Sequence, residues 1–179
     1  RQLYGERVVA DPTLLDLVCA RAEGNPFYIE ELVNYLEDRG IDPSDPASLE
    51  RLQLPDSLHS LILGRIDQLT EDQRTMLKVA SVIGRLFHVA MLWGVHRPGA
   101  DFDDVLRDLD VLAEQELTTL ESPEPELAYL FRHVLTQEVA YETLAFATRA
   151  VLHEQIAQYI EDKRGGVVDQ VLDLLAHHY

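Results

Sequence analysis

Two short stretches of this sequence hold residues that could do chemistry. The first is Phe131-Arg132-His133, where an apolar run gives way to a helical pattern. A histidine at a helix start sits beside backbone N–H groups that have no partner within the helix, and from there it can face an anion. The same place suits a histidine packed into a strand–helix corner, and the residues by themselves leave both readings open. The second stretch is Gly24-Asn25-Pro26, between two helical patterns. Glycine readily closes one helix and proline opens the next, so local physics requires no more here than a helix–helix turn.

What the sequence lacks narrows the chemistry further. It has no Gly-x-Ser-x-Gly elbow, and Ser57, Ser60 and Ser81 have no activating context. It has no Gly-x-x-x-x-Gly-Lys-Ser/Thr phosphate loop; the glycines at Gly84 and at Gly165-Gly166 lack the lysine and the preceding buried strand. His59, His88, His96, His153, His177 and His178 show no His-x-x-x-His spacing, and Cys19 is the single cysteine. Neither a metal site nor an internal disulfide is therefore expected. No residue qualifies as catalytic, and this chain alone is not expected to be an enzyme.

Helical periodicity dominates the elements that must position these residues. Leu14, Leu15, Leu17, Val18 and Ala22 form one helical stripe ending at Gly24. Phe27, Ile29, Leu32, Val33 and Leu36 predict a helix over 27–38, with Glu30 and Glu31 in its first turn, where negative charge is favoured. Pro43, Ser44, Asp45, Pro46 and Ser48 read as a linker, and Leu54-Pro55 opens the next unit. Helices over 56–69 and 71–83 follow, the second announced by the capping-box pair Thr70 and Gln73. Next come an extended stretch at Leu86–His88, a short helix over 89–95, and a helix over 102–114 capped by Asp101. Leu117–Leu120 and Leu127–Phe131 flank Glu121-Ser122-Pro123-Glu124-Pro125-Glu126, which predicts a β-hairpin with a loop. Helices over 133–144, 148–162 and 169–179 complete the chain, the last reading as the first element of something that continues.

Helix, extended stretch, helix, helix and hairpin is the winged-helix order. The expected fold is mainly α: a helical fragment over 1–50, a winged helix with one β-hairpin over 54–145, and C-terminal helices over 146–179. A winged helix usually sets the helix before its wing into the DNA major groove. Here that helix carries seven acids between Asp101 and Glu116 and one base, Arg107. The hairpin adds Glu121, Glu124 and Glu126. Such a surface repels phosphates, so a structural or interaction module is the stronger reading and a DNA-reading transcription regulator the alternative.

Bulk composition agrees. The 179 residues are 46% hydrophobic and 26% charged, enough apolar material for a packed core. A net charge of -17 disfavours direct nucleic-acid contact and anionic membrane surfaces. No apolar run approaches the roughly 20 residues that span a bilayer. One cysteine suits a reducing cytoplasm. Beginning at Arg1 rather than Met, the chain is expected to be a processed protein or a fragment.

Four segments in order then carry a resemblance. They are Ala22 to Leu32 (with Glu23-Gly24-Asn25-Pro26-Phe27), Leu54-Pro55-Asp56-Ser57-Leu58 with Arg65-Ile66-Asp67-Gln68-Leu69, Ala80 to Phe87 (with Ile83-Gly84-Arg85), and Phe131-Arg132-His133 through Ala140-Tyr141-Glu142. Together they resemble bacterial signal-transduction ATPases of the STAND class, within the AAA+ group. These are found fused to adenylate/guanylate cyclase, protein kinase or LuxR-type DNA-binding domains. The resemblance implies an upstream P-loop ATPase domain before Arg1, a helical lid, the winged helix, and downstream helical repeats of the tetratricopeptide type beginning at 169–179. It implies ATP or ADP as ligand, with Mg in the absent domain and no nucleotide bound by this fragment alone. It places Pro26 near the adenine, with Gly24 and Asn25 shaping the turn, and His133 on the phosphates of ADP, with Arg132 adding charge. It also implies an output domain or protein partner, to which the nucleotide state is relayed. A scaffold that has lost the nucleotide contacts is a further alternative.

Overall fold

The computed structural model describes Ala22 and residues 24–41, 57–96, 101–123 and 126–164. The stripe before Ala22, Cys19, the linker over 43–48, Leu54-Pro55-Asp56, the loop residues Glu124 and Pro125, and the expected helix over 169–179 lie outside them. The described residues form seven helices and three strands: α1 (Pro26–Asp38), α2 (Leu58–Ile66), α3 (Glu71–Ile83), β1 (Leu86–His88), α4 (Val89–His96), α5 (Phe102–Glu114), β2 (Thr118–Ser122), β3 (Ala128–Phe131), α6 (Val134–Glu142) and α7 (Phe146–Arg164). The fold is mainly α with one small antiparallel sheet, as its periodicity predicts.

The chain divides into two compact units between Gln68 and Leu69. The described residues of the first contain a helix pair. Tyr28, Leu32, Tyr35 and Leu36 recur at the three-to-four spacing that puts them on one face of α1, and they bury against Leu61 of α2. Ser57 caps α2, its Oγ accepting from the Ser60 N–H at 3.2 Å. Arg65 of α2 is buried with Glu31 of α1 and ion-paired to it at 2.8 Å. The sequence reading opens the winged helix at Leu54 and so counts α2 within it. The structure groups α2 with α1 instead, because the faces of α2 carrying Leu61 and Arg65 are spent on α1.

The second unit is the winged helix. Helix α3 starts with the expected capping box: the Gln73 N–H donates to Thr70 Oγ1 at 3.3 Å, and the Thr70 N–H to Gln73 Oε1 at 3.2 Å. Its body is almost wholly buried, with Met76, Leu77, Val79, Ala80, Val82 and Ile83 in the core. Strands β1, β3 and β2 lie in that order, all antiparallel, with Leu86 opposite Leu130 and Thr118 opposite Phe131. A bulge between Leu120 and Ser122 ends the regular pairing and lets β2 run to Ser122, two residues past the expected strand. Phe87, Tyr129 and Phe131 turn inward as an aromatic cluster, Phe87 and Phe131 meeting edge-on at 5.6 Å. Helix α5 closes the core with Val105, Leu109 and Leu112.

Helix α7, expected as an appendage beyond the winged helix, packs on it. Ile156, Ala157 and Ile160 are buried, and Tyr159 donates to the Ala90 carbonyl of α4 at 3.0 Å. Gly94 makes this possible: a Cβ there would overlap the Tyr159 ring, coming within 2.9 Å of its Cδ2. At the other end Arg149 donates to the carbonyls of Leu144 and Glu142, at 2.9 and 3.0 Å, and lies over the Tyr141 ring. It thereby satisfies the carbonyls that α6 leaves open at its C-terminus.

Two outcomes are expected. Gly94→Ala should destabilise the second unit by about 1–3 kcal/mol in urea unfolding, as overpacking does. Adding Tyr159→Leu should recover part of that loss. Burial, and then the bond to Asp110, push the Tyr129 hydroxyl up to about 12. A raised acid stabilises the fold fully below its unfolded value near 10 and loses that contribution as pH climbs through 12. Tyr129→Phe should therefore flatten the decline of stability over that window, measured against the wild type.

Candidate functional site

Asn25 is the N-cap of α1. Its backbone is extended and its Oδ1 accepts from the Phe27 N–H at 3.0 Å. Pro26 follows in the first turn, where a missing N–H costs nothing. Gly24 stands at φ +82, a left-handed backbone that side chains disfavour. Its amide neighbour is anchored too, the Asn25 N–H donating to the Ala22 carbonyl at 2.6 Å. Sequence reasoning sees these three residues only as a turn; the structure gives Asn25 the capping role. All three are exposed, while Tyr28 and Leu32 just below them are buried. The turn is an exposed, capped start to a helix whose inner face is buried.

His133 is the N-cap of α6, also with extended backbone, and its side chain makes no capping hydrogen bond. It stands at the N-terminal end of α6, where the helix dipole is positive and the first-turn amides point outward. The expected helix over 133–144 therefore begins one residue later, at Val134. His133 is half-buried, and its carbonyl accepts from the Thr136 N–H at 3.1 Å. Helix α6 is pinned beneath it by Gln137, which donates to the Ser81 carbonyl of α3 at 3.0 Å, and by buried Thr136, Val139 and Ala140.

Arg132 is tied into the corner by its own contacts. Its guanidinium pairs with Glu116 at 3.0 Å, and its backbone N–H donates to the Leu117 carbonyl at 3.2 Å. Glu116 lies at the exit of α5 with φ 58 and is the one described non-glycine residue with positive φ. No sequence signal marks it, because glycine or asparagine usually takes that backbone. Arg132 thus ties the α5–β2 turn to the end of β3, and sets the corner from which His133 projects.

The α5 segment and the hairpin carry acidic residues to solvent. Asp101, Asp103, Asp110 and Glu114 of the α5 segment and Glu121 and Glu126 of the hairpin are exposed. Asp108 and Asp110 accept hydrogen bonds from Gln73 and Tyr129, so part of the charge is structural. Among the described residues no group of three or more His, Cys, Asp or Glu could hold a metal ion, and no helix is long and apolar enough to cross a membrane.

No family model matches the chain, and no solved structure matches it. An uncharacterized protein of Rhizobium meliloti (strain 1021) is similar, 26% identical over 162 residues that make up 89% of this chain. The chain spans 15% of that relative's length, so the similar protein is several times longer.

Loss of the Asn25 cap should be visible in stability. Asn25→Ala is expected to cost about 1 kcal/mol by urea unfolding of the first unit. Glu116→Gly should be close to neutral, because relief of the left-handed backbone, worth about 1–2 kcal/mol, opposes loss of a half-exposed ion pair worth about 0.2–1 kcal/mol.

Proposed function

We propose that this chain is the regulatory part, lid and winged helix, of an ATP/ADP-dependent signal-transduction switch of the STAND class. The nucleotide would be held by a P-loop domain that precedes it in the complete protein. The observation that carries this reading is His133 at the N-cap of α6, a helix pinned to α3 by Gln137. A helix N-terminus is a place where an anionic group can be held. The order of the four segments from Ala22 to Glu142 supports it independently.

In this reading each unit does one thing. The first presents Pro26 to the adenine, on a turn stiffened by the Asn25 cap and by Gly24. The second presents the His133 ring N–H to the phosphates. A charge-assisted contact made in one conformer only is what shifts a two-state equilibrium. Bound phosphate supplies the negative charge; His133 supplies the donor, and α6 holds that donor in place. Release of the contact would free the winged helix and pass the change to an output domain, which the downstream helical repeats would control. The acidic α5 face makes a DNA-reading role for this unit the weaker reading, and binding to duplex DNA at low salt would revive it. The single thiol and the lack of a membrane-spanning helix among the described residues suit a cytoplasmic protein.

The test is the nucleotide carried by the complete protein after purification. Wild type should retain ADP. His133→Ala should weaken ADP retention by roughly 10- to 150-fold, the equivalent of the about 1.5–3 kcal/mol that a hydrogen bond to a charged group contributes. Equal retention by both proteins would remove His133 from the mechanism. Absence of nucleotide from a folded wild type would favour a protein-interaction scaffold.

A further inference from the structure

Among the described residues of the first unit, Arg65 and Glu31 carry the most heavily buried charges. Their side chains are each 2% exposed and meet at 2.8 Å, Nη1 to Oε2. The same guanidinium donates through Nε to Asp38 Oδ2 at 3.0 Å, with Asp38 28% exposed. Burial by itself would push the Arg65 guanidinium down; Glu31 and then Asp38 outweigh that and hold it above its ordinary value.

As a source of stability this arrangement is a poor choice, because a buried ion pair often does no better than apolar residues of similar volume. What it supplies is direction. Glu31 and Asp38 are seven residues apart, about two turns or roughly 10 Å along the axis of α1. One rigid fork therefore grips α1 at two points on one face. The apolar seam of α1 has no such definition. Its buried residues Tyr28, Leu32 and Leu36 repeat every four positions. Sliding α1 by four residues would set apolar side chain on apolar side chain again, and hydrophobic contact is non-directional. The same slide would bring Phe27 or Tyr35 to the place of Glu31, leaving a buried guanidinium without its carboxylate. The Tyr35 ring against Gly64, 3.1 Å from where a Cβ would stand, adds a shape constraint in the same register.

We infer that Arg65 is a positioning residue: by holding Glu31 and Asp38 two turns apart, it fixes the register and rotation of α1 on α2, and so the direction in which the Gly24-Asn25-Pro26 turn is presented. Its consequence for ligand retention rests on the proposed nucleotide role of that turn; the register itself does not. Sequence offers a faint signal, a lone base in the run Leu61-Ile62-Leu63-Gly64-Arg65-Ile66, which a helix could equally turn to solvent.

The experiment uses the complete protein, with its native cysteines replaced and spin labels at the exposed positions Ile29 and Ser60. Distances between the labels are measured by pulsed electron resonance for the wild type, for Arg65→Lys, and for the double variant Glu31→Met/Arg65→Met. The double variant restores apolar filling, so its thermal midpoint should stay near that of the wild type. Its label distances should nevertheless spread from one narrow population into two or more, and Arg65→Lys should spread them as well. If only one in ten molecules keeps the competent orientation, ADP retention should fall about tenfold. A single narrow distance in both variants overturns the inference and makes the network merely structural, whatever the thermal midpoint does. Spread distances in a protein whose wild type carries no nucleotide would uphold the register lock and sink the nucleotide reading alone.

Discussion

Strand β3 is the constraint on which the second unit depends. It is the middle strand of three, so both of its backbone edges are satisfied by neighbours, β1 on one side and β2 on the other. Its alternation sends Tyr129 and Phe131 into the core, where Phe131 is fully buried against Phe87. The Phe131 N–H is taken by the Arg85 carbonyl and the Arg132 N–H by the Leu117 carbonyl. With the residues just before it fixed on both sides, His133 has little freedom in where it emerges. A one-residue slip of β3 would turn Phe131 outward and carry the histidine to the opposite face.

Around that strand the helices serve as supports for one corner. Helix α3 provides a buried platform to which α6 is fastened by Gln137. Helix α5 ends in the strained turn at Glu116, whose carboxylate holds Arg132. Helix α7 covers α4 through the Gly94–Tyr159 contact and seals the far end of α6 through Arg149. The position used for DNA reading in other winged helices is here an acidic face, part of whose charge is tied into the fold through Asp108 and Asp110. Self-repulsion among such charges is tolerable on an exposed helix, because water and salt screen it.

The first unit follows a different rule. Its described residues pair two helices along an apolar seam, with the buried Arg65–Glu31 ion pair across it. The seam holds the helices together; the charges specify how. Buried polar groups that fix register at some expense of stability are best attested in helical assemblies, where apolar surfaces alone are degenerate. A helix pair of this kind is the simplest case in which that degeneracy arises.

Much of this was legible in the chain itself. The three-to-four spacing of Leu32 and Leu36, the Thr70–Gln73 box, and the turn-rich stretch after Leu120 mark elements by local chemistry, and local chemistry acts before any tertiary contact forms. The winged-helix order follows from those elements. The Gly24-Asn25-Pro26 turn and the strand–helix corner at His133 were likewise visible, since capping and turn preferences are written within a few residues. Tertiary structure decided what depends on distant partners. It assigned α2 to α1 because Arg65 finds Glu31, 34 residues away. It folded α7 back onto α4 because Gly94 leaves room for Tyr159. It gave Arg132 to Glu116, whose left-handed backbone no residue type announced. Charge pairing and close approach are decided by where side chains meet in space, and a sequence states only which residues are available to meet.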